Sequence, residues 1–136
     1  MASHIARNSH KPDRIGLTQA KDHFKPIEQF LNQLRQEISD SHDSTSLDRR
    51  ESLHKIAKDT YEVRYSLHGK GDERLSLTFT LVGEEGDKII FQGHQRSTPR
   101  DVSANPGQVD QHVYRLEEMA NLMQAVQEKV TAHLAL

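Results

Sequence analysis

From Thr60 to Arg96 apolar and polar residues alternate in three runs, which predicts β-strands at Thr60–His68, Arg74–Val82 and Lys88–Arg96. The turns between them are Gly69–Glu73 and Gly83–Asp87. One face holds Tyr61, Val63, Tyr65 and Leu67, then Leu75, Leu77, Phe79 and Leu81, then Ile89, Phe91 and Gly93. That face belongs to the core, because a half-buried antiparallel strand is apolar at every second residue. A one-residue slip would expose the whole set, so the alternation also constrains the pairing: Thr80 with Ile90 and Val82 with Lys88 about the second turn, and Ser66 with Ser76 and Arg64 with Thr78 about the first, where the five-residue loop also allows a shift by two. The opposite face is polar, with His68, Arg74, His94 and Arg96 gathered at one end and Arg64 nearby.

On either side of the strands the period changes to that of helices. Leu17, Ala20, Phe24, Ile27, Leu31, Leu34 and Ile38 recur at intervals of three and four and form one helical stripe. Pro26 interrupts it, which predicts a short first piece followed by a main helix from about Pro26 to Ser39. After the polar linker Ser39–Ser46, a short helix is expected from Leu47 to Lys58, with Arg49, Arg50, His54, Lys55 and Lys58 on its outer face. Ser97–Gln108 reads as a loop, and Val109–Ala132 as the last helix. In that helix Val113, Leu116, Ala120, Met123, Val130 and Leu134 form one stripe, and Tyr114, Met119, Leu122 and Val126 widen it. The expected fold is a two-layer α+β domain of order α-(α)-β-β-β-α, a three-stranded antiparallel meander covered on one face by helices. Residues 1–16 would be a flexible arm and 17–136 a single domain.

Leu, Ile, Val and Phe make up 31 of the 136 residues, enough for one core with long polar stretches left over. The absence of cysteine excludes disulfides, Cys-ligated zinc and thiol nucleophiles, and fits a reducing cytoplasm. A formal net charge of -2 gives no whole-protein attraction to nucleic acid or membrane, and no apolar run is long enough to span a bilayer. A cytoplasmic protein with no membrane association is expected.

No stretch carries a catalytic pattern. In His68–Glu73 Lys70 is followed by Gly71 and by a further strand, so the segment is a turn rather than a phosphate loop. The nine histidines do not sit at metal-ligand spacing, and Ser66 and Ser76 near His94 lack an enclosing pocket. Neither metal, cofactor nor enzymatic activity is expected. Binding is the default: a protein-binding module (adaptor, chaperone-like helper or subunit), dimeric through its amphipathic helices, with Tyr114, Met119, Leu122, Met123 and Val126 as the partner face. The alternative is binding of an RNA backbone through Arg49, Arg50, Lys55, Arg64, His68, Arg74, His94 and Arg96. Base stacking is not available to that face, because the strand aromatics all point inward. The helix–three strands–helix order is similar to that of the small Alu-domain proteins of the signal recognition particle, as an analogy of order without a shared motif. Small acidic secretion chaperones are similar in size and in the amphipathic terminal helix, and have more strands than this pattern supplies.

Overall fold

A computed structural model describes residues 15–42, 44–69, 72–83, 88–95 and 108–134, with the backbone alone described at 72–74, 95 and 108–110. Its elements in chain order are α1 (Leu17–Ser41), β1 (Thr45–Ala57), β2 (Thr60–Gly69), β3 (Asp72–Val82), β4 (Lys88–Gln95), β5 (Gln108–Arg115), a 3-10 turn at Leu116–Glu118, and α2 (Met119–Leu134). The strands form one antiparallel sheet in the order β1-β2-β3-β4-β5, and the two helices cover one face.

The three-stranded meander is therefore corrected to five strands, and the order to helix, five strands, helix. The likeness of order to the Alu-domain proteins goes with it. The segment expected as a short helix, 47–58, is edge strand β1. Its ladder to β2 shifts register between Arg49 and Glu51, between Glu51 and His54, and between Lys55 and Ala57. Each bulge resets which side chains face the core, so only Leu47 is buried and Leu53 half-buried, and no period-two pattern survives in the sequence. The helix expected from Val109 begins ten residues later, because 108–115 pairs with β4 as β5. The side chain of Glu118 accepts a hydrogen bond from the Arg115 N–H at 2.9 Å, which marks the helix start. The buried stripe of α2 is accordingly Leu122, Val126, Val130 and His133, and Ala120 is exposed.

The central pattern holds in detail. Ser66 pairs with Ser76, Arg64 with Thr78, Thr80 with Ile90 and Val82 with Lys88. Leu75, Leu77, Phe79 and Leu81 on central strand β3 are fully buried. Phe79 stacks on Phe91 at 5.2 Å between ring centroids and meets Tyr65 edge-on at 6.3 Å. Pro26 lies inside an uninterrupted α1, whose Ala20, Phe24, Ile27, Leu31, Leu34 and Ile38 bury as one stripe against the sheet. Leu17 from the expected stripe is instead 43% exposed. The connection from β2 to β3 is shorter than expected, since β2 runs to Gly69 and β3 starts at Asp72.

A second anchor sits where the chain enters α1. Ile15, expected in the flexible arm, is a core residue. Its N–H donates to the buried Asp59 carboxylate at 3.1 Å, and its carbonyl accepts from the Tyr61 hydroxyl at 3.3 Å. Asp59 lies in the β1–β2 turn with φ 54°, and its own carbonyl accepts from the Gly83 N–H at 2.9 Å. Residues 1–14, the turn at 84–87 and most of the Ser97–Gln108 loop lie outside the described residues.

Two substitutions test this packing. Phe79→Ala is expected to cost about 3–5 kcal/mol in urea unfolding, as for other large core aromatics. At Asp59, Asn keeps an acceptor and tolerates the left-handed backbone, whereas Ala loses both and is expected to cost about 1–3 kcal/mol. Asp59→Gly restores only the backbone freedom, so a Gly variant as damaged as the Ala variant assigns the loss to the missing acceptor.

A groove between the first helix and the edge strand

A groove lies between α1 and the bulged strand β1. Its larger part encloses about 510 Å³ over a floor of Phe24, Ile27, Val63 and Tyr65. Exposed Leu17 and half-buried Leu53 form an apolar rim, and Lys21, Lys25 and Asp22 stand along the α1 side. A second part of about 420 Å³ continues toward Asn32, Arg35 and Asp48. Glu28, Arg49 and Tyr65 line both parts. Arg49 Nη1 and Glu28 Oε2 are 3.8 Å apart, each side chain about half exposed, a geometry worth little in stability and free to rearrange. Burial first, and the Glu28 carboxylate second, raise the Tyr65 hydroxyl above its ordinary pKa, while Arg49 and Arg35 pull it down.

Among the described residues, those expected to bind an anion are divided between the two faces of the sheet. Arg49 and Lys55 stand at register positions opposite Tyr65 and Tyr61, on the helix side of the sheet. Arg64 lies on the open face, where its Nε donates to Glu51 Oε1 at 3.3 Å and its Nη1 to the Ser76 hydroxyl at 3.5 Å. Glu51 also lies 3.7 Å from His54. The strand that sequence reading made a basic helix thus supplies a carboxylate to the open face. Thr80 donates to Glu62 on the same face at 3.3 Å. His68 and His94 are half-buried there, Arg50 is exposed on β1, and Arg96 and the side chain of Arg74 lie outside the described residues.

The expected partner face is divided as well. Leu122 and Val126 are fully buried in the core of their own chain, with Tyr114 and Met119 packed against it and Met123 half-buried beside them. The breadth of apolar surface on that segment is largely explained by a five-stranded sheet, which needs more cover than three strands. Among the described residues, no group of three or more His, Asp or Glu could hold a metal ion, and no helix is long and apolar enough to cross a membrane.

The groove itself was not legible in the sequence. Phe24 and Tyr65 are core residues as expected, and the departures that form the rim are the exposure of Leu17 and the place of Leu53 on a strand rather than a helix. A weak signal lay in Lys58-Asp59, a two-residue connection into a clear strand, which suggests a hairpin partner before it. No protein-family model matches the chain, and no curated protein or solved structure matches it either.

The electrostatics of the groove give a pH test. The folded state holds the Tyr65 proton more tightly than the unfolded chain does, so this contribution is complete below pH 10.0 and declines as pH rises through the folded value. Phenolate absorbance of the folded protein is expected to show a late-titrating group that Tyr65→Phe removes and Glu28→Gln moves downward. A Tyr65 that titrates at 10.0 contradicts the assignment.

Proposed function

We propose that the protein is a non-catalytic protein-binding module, an adaptor, chaperone-like helper or subunit, that holds an apolar-anchored extended segment of another protein in the α1–β1 groove. The carrying observation is the groove's construction: a buried aromatic and aliphatic floor that continues into the exposed rim of Leu17 and Leu53, between walls of mixed charge. Such a surface takes a large side chain from a partner and orients it by flanking polar contacts. A cytoplasmic setting belongs to the same reading and rests on the absence of cysteine.

Recognition of an RNA backbone is the second reading, and it has less support. Arg64 is engaged by Glu51 and Arg49 faces Glu28, so two of the cations offered for phosphate already stand beside carboxylates. Dimerisation through the helices also loses support, since Leu122 and Val126 are spent on the core.

Site-specific photo-crosslinking in the native host separates these readings. A crosslinker at Leu53 is expected to trap a defined protein, and one at Gln92 on the open face is not. Lys21→Glu with Leu17→Glu is expected to weaken the adduct at least about tenfold, and 0.5 M salt to leave most of it, which fits an apolar anchor. Adducts that form at Gln92 instead, or a steep loss with salt and nuclease, would favour the nucleic-acid reading.

A further inference from the structure

The two edges of the sheet are built in opposite ways. At one end β1 carries three register shifts and five charged residues, Asp48, Arg49, Arg50, Glu51 and Lys55. These are the devices by which proteins keep an edge from accepting another strand. At the other end β5 pairs with β4 through eight consecutive positions, from Lys88↔Arg115 to Gln95↔Gln108, with no shift. It contains neither proline nor lysine, and its Val113 is 56% exposed, more than Leu17 or Ile56. No strand among the described residues pairs with its outer side.

The sequence of β5 is also self-complementary. Around Gln111 it reads Val109-Asp110-Gln111-His112-Val113. An antiparallel copy of the strand centred on Gln111 sets Gln111 opposite Gln111, Asp110 opposite His112, and Val109 opposite Val113, each pair occurring twice. Compatible residue types occupy both hetero-pairs: an acid is opposite a histidine, and a valine is opposite a valine. The residues paired this way share a face, so both helical layers fall on the same side of the joined sheet. Val113 stands opposite Ile90 on β4, so the row Ile90, Val113 and the second copy's Val109 continues across the seam. An antiparallel two-fold of this kind closes on itself and leaves no further β5 edge open.

From the regular edge, which carries two charged residues (Asp110 and Arg115) against five on β1, and from its palindromic sequence, we infer that the chain forms a homodimer by β5–β5 pairing centred on Gln111, giving a continuous ten-stranded sheet. This surface is distinct from the α1–β1 groove and does not depend on the use proposed for it. The strand order places the grooves at the two outer ends of the dimer, so a dimeric protein would present them as a pair.

The chain has no cysteine, so single cysteines report the register without background. Across the two-fold the Gln111 Cα atoms are separated by about 4.5–5.5 Å, within disulfide reach. The Val113 Cα atoms, offset by four residues along the strand and by one strand spacing across it, are about 14 Å apart. Under mild oxidation the full chain with Gln111→Cys is expected to become a covalent dimer, and with Val113→Cys to remain largely uncrosslinked. Sedimentation of the unmodified chain is expected to show a monomer–dimer equilibrium whose Kd rises about tenfold or more in Val113→Lys. Both positions are exposed, and unchanged circular dichroism and melting of each variant confirm that the fold is retained. A chain that stays monomeric at every concentration overturns the inference. So does a dimer indifferent to Val113→Lys, or crosslinking at position 113 in preference to 111.

Discussion

Burial of the inward row of β3 is the constraint on which the remaining elements depend. Leu75, Leu77, Phe79 and Leu81 lie on the central strand at zero exposure, and each has an apolar register neighbour on β2 and, from Leu77 to Leu81, a core-face neighbour on β4. Side chains alternate with period two, so this row can be hidden in only one register. Once it is hidden, the faces of β2 and β4 follow, and the helices are held on the side where Phe79 stacks on Phe91. The stripe of α1 and the Leu122–Val130 stripe of α2 then cover that face from the two ends of the chain. Asp59 adds a local fastening, tying the start of α1 to the β1–β2 turn and to the end of β3.

What could be read from the sequence follows from how each segment is buried. The three inner strands are sandwiched between neighbours, so their core faces are apolar over 61–67, 75–81 and 89–93, and pairings such as Thr80 with Ile90 were visible to single residues. Edge strands have less to bury. β1 has one fully buried side chain, and its bulges break the phase of what remains, so the scattered Leu53 and Ile56 fitted a helix as well as a strand. In β5 the exposed Val113 and the inward Tyr114 were absorbed into the helical spacing of α2 next to it. The candidate groove was hidden for the same reason, because it exists only where β1 lies against α1. The carboxylate beside Arg64 on the open face was hidden in the same way, since Glu51 comes from that strand.

The unequal edges give the molecule its functional logic. An open sheet leaves two rows of backbone donors and acceptors, and each must be protected or used. Here the bulged, charged edge at β1 is closed to strand addition and instead frames a groove with α1, suited to side-chain recognition. Among the described residues nothing pairs with the outer side of the regular edge at β5, and its sequence complements a second copy of itself. In the proposed reading one end of the sheet takes a partner's side chains and the other a second copy's backbone.

Residue-resolved hydrogen exchange of the full chain at dilute and concentrated protein tests this division most directly, because it reads both edges in one experiment. Alternate β5 amides, those directed away from β4, are expected to exchange more slowly as concentration rises, while the outer amides of β1 remain fast at every concentration. Outer β5 amides that exchange at the same rate throughout, or a concentration-dependent slowing at β1 in their place, would contradict it.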